Sequence, residues 1–225
     1  YEISTRDWSS DVCSSDLQRI PWAITSMALN RIALQRNDAI SFWKLLGTGK
    51  GETFTPRDAD AHRWGLIINI DTEALKDFES SNLIKKWRAC ATEEFSATLK
   101  PIASQGQWSK QTPFLPQIDN EWNGTVAAIT RARIKWRKNP LFWRSVPPVT
   151  LSLRNSPGLI SAIGIGEAPL GLQGTFSIWE SPAAIKEFAY RGQAHKAVIA
   201  ATHREKWYSE ELFARFAVTE MKGTL

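Results

Sequence analysis

The stretch LISAIGIGEAPLGLQGTFSIWESPAAIKEF (159–188) indicates the fold. Its two apolar runs, Leu159–Gly166 and Thr175–Trp179, predict consecutive strands because β-branched and aromatic residues recur between glycines. Ser181 followed by Pro182 signals a helix start, since serine caps an N-terminus and proline suits the first helical turn. The order strand, strand, helix is the middle of a β-α-β-β-α-β unit.

The flanking sequence completes this unit. Thr125–Lys135 predicts an earlier strand, and Pro140–Arg154 predicts a helix that Pro147-Pro148 must kink or shorten. The final helix extends to about Trp207, and the alternation of Leu212–Val218 predicts a last strand. The second half of the chain therefore predicts a complete ferredoxin-like lobe.

The first half follows the same plan with one element missing. Pro21–Leu34 predicts a helix, and Asp38–Glu52 begins as a strand and ends in glycines. Trp64–Ile70 predicts a buried strand, Thr72 begins a helix that extends towards Glu94, and Phe95–Ile102 predicts another strand. The order is α-β-β-α-β, so the opening strand of this lobe is not recognisable.

The two halves also share short motifs: an FW pair, a GxGE motif and the start of a helix with a phenylalanine at a matching position. The copies are Phe42-Trp43 with Phe142-Trp143, GKGE (49–52) with GIGE (164–167), and Thr72–Phe78 with Pro182–Phe188. Aligning Phe78 with Phe188 places Lys85 opposite His195. A duplicated scaffold with a histidine in one half predicts a site built on that half.

We therefore predict an α+β fold of two tandem ferredoxin-like βαββαβ units that form an α/β-barrel-like fold. The first strand of the N-terminal unit is lost or replaced. The expected division is an N-terminal lobe at 18–103, a polar, glycine- and proline-containing linker at 104–123, and a C-terminal lobe at 124–225 that carries the site.

Residues 1–17 differ from the rest, because they are rich in serine and aspartate and lack periodicity. The string RDWSSDVCSSDL (6–17) is similar to a translated sequencing-adaptor remnant. We expect an artefactual segment, or otherwise a disordered tail. Without it the chain has 27 basic and 19 acidic residues, a net charge of +8, and Cys90 is the remaining cysteine. A lone cysteine forms no internal disulfide, so we expect a cytoplasmic protein.

The composition is that of a globular protein, with 43% hydrophobic and 23% charged residues. Eleven Trp and ten Phe accompany three Tyr, an aromatic excess that suits a core or a flat apolar ligand. No apolar run approaches the roughly 20 residues of a membrane-spanning helix.

A family resemblance rests on five stretches: SFWKLLGTGKGETFTP (41–56), FWRSVPPV (142–149), SPGLISAIGIGEAPL (156–170), TFSIWES (175–181) and EFAYRGQAHKAVIAATHREKWYSEELFARF (187–216). Together they resemble spheroidene monooxygenases, which are bacterial carotenoid ketolases. The resemblance extends from Trp22 to Phe216, and its most specific part is FAYRGQAH joined to WYSEELFARF.

The resemblance implies a fold of the dimeric α/β-barrel superfamily and haem b as the cofactor. It implies oxidation of an acyclic, spheroidene-like carotenoid to a ketone by O2, with electrons from ferredoxin or another donor. A substrate dissolved in membranes implies a cytoplasmic protein with peripheral membrane contact. Two alternatives on the same barrel remain: a non-catalytic protein that binds haem or another apolar ligand, and a cofactor-free small-molecule monooxygenase.

His195 is the expected axial ligand of the haem iron, because a neutral imidazole on a helix is a good iron ligand. Arg191, one turn earlier, is expected to pair with a haem propionate, and Tyr190 and Trp207 are expected to line the cofactor pocket. Each of these residues could instead have a purely structural role. His195 would be a surface or hydrogen-bonded core histidine, Arg191 an exposed cation, and Tyr190 and Trp207 packing residues beneath the helix.

The other histidines are expected at the surface. His203 lies eight residues after His195, about 12 Å along a helix, so the two do not readily share one iron. His62 lies in a polar segment before a strand. No H-E-x-x-H, paired cysteines or P-loop is present, so neither a zinc site nor a nucleotide site is predicted.

Four cations alternate with other residues along the strand that opens the second lobe. They are Arg131, Arg133, Lys135 and Arg137, and a strand would place them on one face. A solvated face, contact with anionic lipid or a nucleic-acid patch each fits this pattern. We expect no nucleic acid as a partner.

Overall fold

The helices and strands of this computed structural model follow the predicted order closely. The structure describes residues 2–9, 19–49, 58–118, 121–135, 137, 147–167, 174–191, 208–223 and 225. The elements are β1 (Glu2–Ser9), α1 (Arg19–Gln35), β2 (Ile40–Gly49), β3 (Ala59–Ile70), α2 (Thr72–Glu79), α3 (Asn82–Cys90), β4 (Glu93–Gly106), β5 (Val126–Ile134), α4 (Pro147–Arg154), β6 (Leu159–Gly166), β7 (Gly174–Trp179), α5 (Pro182–Arg191) and β8 (Tyr208–Lys222).

The strands close into a barrel in the order β1-β3-β2-β6-β7-β5-β8-β4. Each half contributes four antiparallel strands in the ferredoxin-like order, which is fourth, first, third, second. The halves join along two edges, where β2 pairs with β6 and β4 pairs with β8. The predicted fold of two tandem βαββαβ units is confirmed.

The pairing register shows the duplication most directly. In the first half Ile40 pairs with Ile70, Trp43 with Ile68 and Leu45 with Leu66, with a register shift after Ile40. In the second half the matching pairs are Leu159 with Trp179, Ala162 with Ser177 and Gly164 with Thr175, with a register shift after Leu159. The two hairpins therefore share their register and their irregularity.

The motif alignment was correct in part. Phe78 and Phe188 occupy matching positions, each six residues after the first residue of α2 and α5 respectively. The FW pairs are not equivalent, because Phe42-Trp43 lie in β2 after α1, whereas Phe142-Trp143 precede α4 in the chain and lie outside the described residues. Lys85 lies on α3, and His195 lies outside the described residues.

The first strand of the N-terminal lobe, which was not recognisable in the sequence, is formed by Glu2–Ser9. These residues form β1, which lies between β3 and β4 and pairs with both. They occupy the place of the missing first strand, because a strand at that position gains a ladder of backbone hydrogen bonds on each side. Residues 10–18 lie outside the described residues.

The helix expected from Thr72 towards Glu94 is two helices, because the chain turns at Ser80-Ser81. The Ser81 side chain accepts a hydrogen bond from the Ile84 backbone N–H at 3.4 Å and so caps α3. The predicted linker is also shorter than expected, since β4 continues to Gly106.

Helices pack on the outer face of the barrel, and among the described side chains those of β2 to β8 fill the inner face. The outer cluster of the first half centres on Trp64, Leu66 and Ile68, and that of the second half on Val126 and Trp179. No helix in the described part of the chain is both long and apolar enough to cross a bilayer.

Candidate functional site

Four charged side chains lie together at one end of the barrel. Lys44 is on β2, Arg131 on β5 and Glu210 on β8, and Glu167 directly follows β6. Alternation along each strand places them in line with the apolar residues of the barrel interior. The Arg131 side chain is 2% exposed, so its charge has to be neutralised within the protein.

Arg131 bridges the two carboxylates. Its Nη2 donates to Glu167 Oε1 at 2.6 Å, and its Nη1 donates to Glu210 Oε1. Lys44 Nζ donates to Glu167 Oε2 at 3.1 Å and to Ser109 Oγ at 2.6 Å. Two cations therefore face two anions, and the cluster of these four groups carries no net charge. We refer to Lys44, Arg131, Glu167 and Glu210 as the ion cluster.

The ion cluster holds a turn across the end of the barrel. Ser109 and Lys110 have left-handed backbones, with φ of 55° and 62°, a conformation that costs energy in residues other than glycine. Their backbone N–H groups donate to the Glu210 carboxylate at 3.0 and 2.8 Å. Trp108 Nε1 donates to Glu167 Oε1 at 2.8 Å, and its ring lies 5.4 Å from the Arg131 guanidinium.

Both carboxyl groups are held in the ionised form. Burial raises the pKa of Glu167, but Lys44 and Arg131 outweigh it and bring this pKa below its ordinary value. Burial likewise raises the pKa of Glu210, and the N–H groups of Lys110 and Ser109 with Arg131 lower it further than burial raises it. The ion cluster is therefore suited to fixing the turn rather than to donating a proton at neutral pH.

Aromatic side chains fill the barrel interior behind this turn. Phe42 contacts Trp108 and Phe114 edge to face at 5.7 Å each, and Phe114 contacts Phe216 at 5.0 Å. The part of the barrel interior that the structure describes is therefore packed with protein side chains.

The outer faces of the two halves differ sharply at equivalent positions. The first half carries large side chains there: Trp43, Leu45, Leu66 and Ile68. The second half carries small ones: Ala162, Gly164, Thr175 and Ser177. In the first half α1 and α3 cover the large side chains, and Trp22 contacts Trp87 at 5.3 Å. The second half therefore carries less side-chain volume than the first half at these four positions.

We refer to the outer surface formed by Ala162, Gly164, Thr175 and Ser177 as the small-residue floor, and aromatic side chains border it in the part that the structure describes. Trp179 packs against Phe188 of α5 with ring centroids 5.3 Å apart. Trp179 Nε1 donates to Ser177 Oγ at 3.0 Å, which satisfies the buried indole N–H. The floor thus combines small side chains with an apolar wall supplied by α5.

Two of the sequence-predicted site residues lie at the end of α5. Tyr190 and Arg191 are its last two residues, although their side chains lie outside what the structure describes. His195, His203 and Trp207 lie outside the described residues, in the segment that connects α5 to β8. Their expected roles stay predictions.

Two expectations about surface residues need correction. His62 lies in β3 and is half-buried, because that strand begins at Ala59 and includes the segment expected to be a loop. Arg131 is not part of a solvated cationic face, since closure of the barrel turns it inward between two glutamates. Arg133, Lys135 and Arg137 are exposed. No group of three or more metal-ligating side chains occurs among the described residues.

Sequence reasoning assigned no role to Glu167, Glu210 or Lys44. A signal existed for Glu167, because the spacing of Ile163, Ile165 and Glu167 places all three on one strand face. The partners of Glu167 come from distant strands, so their proximity depends on barrel closure.

Comparison with known proteins identifies the family. The chain is 37% identical over 209 residues to the spheroidene monooxygenase of Rhodobacter capsulatus, which covers 91% of this chain and 86% of that protein. It is 30% identical over 207 residues to the spheroidene monooxygenase of Cereibacter sphaeroides, with 91% and 64% covered.

The solved structure of an aldoxime dehydratase in complex with butyraldoxime has a TM-score of 0.58 to this chain at 10% sequence identity. The alignment covers 96% of this chain and 78% of the dehydratase chain, and this likeness shows the fold alone. No protein-family model matches. From its identity to these relatives, the chain belongs to the spheroidene monooxygenase family and is an oxidoreductase of the monooxygenase class.

Proposed function

We propose that this protein is a haem-dependent monooxygenase that introduces a keto group into an acyclic, spheroidene-like carotenoid. It uses O2 and electrons from a separate donor such as ferredoxin. Membership of the spheroidene monooxygenase family supports the substrate class. The observation that carries the location of the site is the small-residue floor of the second half, at positions that large side chains fill in the first half.

The floor fits a flat apolar group such as haem b. A planar ligand lying on a sheet needs the backbone to come close, and Gly164 with Ala162 permits this. Trp179 and Phe188 supply an apolar wall that excludes water. The described residues thus supply small side chains and an apolar boundary, and we infer that the iron ligand comes from the segment after α5.

His195 is the proposed iron ligand, because it lies in the segment that follows α5 and matches the family's most specific motif. Arg191 would pair with a propionate, and Tyr190 and Trp207 would line the pocket. Bound in this way, haem b would supply the iron centre that activates O2.

The protein would also bind the substrate and exclude water during the reaction. The apolar pocket would hold one end of the carotenoid and keep water away from the reacting carbon. Two successive hydroxylations of that carbon each consume one O2, two electrons and two protons and release one water, and the resulting geminal diol loses water to give the ketone. The substrate is lipid-soluble, so we propose that the cytoplasmic enzyme works in peripheral contact with the membrane.

The test is an absorption spectrum of protein expressed with a haem precursor, together with turnover of an acyclic carotenoid. His195→Ala is expected to abolish both the Soret band and the ketone product, whereas His203→Ala and His62→Ala retain both. Survival of the Soret band in His195→Ala would overturn the ligand assignment.

A second variant tests the floor itself. Gly164→Leu with Ser177→Ile restores the residues that the first half carries at these positions, and it is expected to remove the Soret band while the far-UV circular dichroism is unchanged. In the unaltered protein, turnover without a Soret band would indicate a cofactor-free monooxygenase. A Soret band without turnover would indicate a non-catalytic binding protein.

A further inference from the structure

Helix α1 is apolar on both of its faces. Its inner face packs on the first half of the barrel through buried Ala23 and Leu34. Its outer face exposes Ile24 by 48%, Leu29 by 63% and Ile32 by 52%. A helix on the surface of a globular protein normally presents polar residues outward, so this outer face indicates an apolar partner.

The exposed charges of α1 and of the residue directly after it are positive, and the exposed Asp38 lies two residues further on, in the turn that leads to β2. Arg31 within α1 and Arg36 directly after it are exposed, and Arg19–Gln35 contains no Asp or Glu. At about 100° per residue, Arg31 and Arg36 flank the strip formed by Ile24 and Ile32 on opposite sides. Long cationic side chains beside an apolar strip are suited to reach lipid headgroups while the strip enters the interface.

We propose that the outer face of α1 docks onto the surface of a bilayer that contains anionic lipid. A second copy of the chain fits this face less well. A two-fold interface would set the same helix against itself and bring Arg31 and Arg36 near their own copies, with no acidic residue on the helix to offset the repulsion. A negatively charged lipid surface attracts the same arginines.

This inference rests on the proposed function, because a bilayer surface is where an acyclic carotenoid is available. Docking through α1 would hold the first half on the membrane while the proposed site lies on the second half. The two proposals concern different halves, so they can be tested separately.

The experiment is co-sedimentation of the full chain with vesicles in the absence of carotenoid. Binding is expected to vesicles that contain phosphatidylserine and to be much weaker with phosphatidylcholine alone. Arg31→Gln with Arg36→Gln is expected to weaken binding roughly fivefold per cation. Ile24→Ser with Ile32→Ser is expected to weaken it at least tenfold, because both side chains lose their place in the interface.

Two matched controls locate the surface. Met221→Ser changes a side chain that is 44% exposed on β8, which lies opposite β2 in the barrel order, and it is expected to leave binding unchanged. Arg133→Gln with Lys135→Gln removes two exposed cations at the end of β5 and is also expected to leave binding within twofold.

Three results would overturn the proposal. They are no binding of the unaltered protein to phosphatidylserine vesicles, loss of binding in a control that equals the loss in the α1 variants, and a dimer in sedimentation velocity that the α1 variants convert to a monomer. Ketone formation from detergent-solubilised carotenoid and the Soret band are expected to persist in the α1 variants. If the unaltered protein shows neither ketone formation nor a Soret band, that result counts against the proposed function and not against docking through α1.

Discussion

Replacing Arg131 with methionine should destabilise the protein by about 3–5 kcal/mol, the usual cost of removing one partner from a buried ion pair. Arg131 is 2% exposed and is bonded to two carboxylates, Glu167 and Glu210. Methionine fills most of the arginine's volume, so the loss reflects two partly buried anions that then face each other with Lys44 as the remaining nearby cation. Since whole domains are stable by about 5–15 kcal/mol, this loss is large.

The matched variant removes the anions together with the cation. Arg131→Met combined with Glu167→Gln and Glu210→Gln leaves no uncompensated charge except that of Lys44, and each glutamine oxygen still accepts a hydrogen bond from the turn. Replacement of buried ionic groups by neutral ones is often tolerated. We therefore expect this triple variant to recover at least half of the stability that the single variant loses.

Urea unfolding followed by tryptophan fluorescence measures both changes. A shift in the midpoint at a constant slope reports a change in the free energy of unfolding. A single variant that costs less than about 1 kcal/mol, or a triple variant less stable than the single one, would refute the view that Arg131 neutralises two buried carboxylates.

Three further results are expected. The pKa values of Glu167 and Glu210 lie below the ordinary 4.5, so the stability that these carboxylates contribute is complete above that pH and is lost as pH falls through their folded-state pKa values. Urea midpoints measured from about pH 6 to 3 should therefore fall less steeply with pH when both residues are replaced by glutamine. Equal dependence of the midpoint on pH in the two proteins would contradict this. Gly106→Ala should lower the free energy of unfolding, measured in urea, by about 1–3 kcal/mol, because φ at this position is +95° and an added Cβ would clash with the Glu211 carbonyl oxygen. Deleting residues 1–9 should remove β1 and abolish cooperative thermal unfolding, and an unchanged melting temperature would show that the strand contributes nothing.

The sequence predicted the elements whose apolar pattern is strong. Three predicted strands are strands of the barrel, and their hydrophobic side chains were sufficient to predict them: Trp64–Ile70, Leu159–Gly166 and Thr175–Trp179. The serine–proline signal placed the start of α5 at Pro182. Local patterns were sufficient here because the preference of each segment agrees with its burial.

The sequence failed where tertiary contacts override local preference. Glu2–Ser9 has a composition typical of a tail, yet it lies between two strands that satisfy its backbone on both sides. Arg131 looked like one member of an exposed cationic series, and its burial depends on carboxylates that lie 36 and 79 residues away. Such partners can be recognised once the strand order is known.

The duplication supports the proposal that the site lies on the second half. Both halves share strand order, register and the same irregularity, so the different side-chain sizes on their outer faces can be compared position by position. In the first half Leu45 and Leu66 form part of a core that α1 and α3 cover, and this core fixes the barrel. In the second half the smaller Gly164 and Thr175 stand at those positions. The proposed haem would therefore lie on the half that carries less side-chain volume, and the proposed membrane contact through α1 would lie on the half whose core contains the larger side chains.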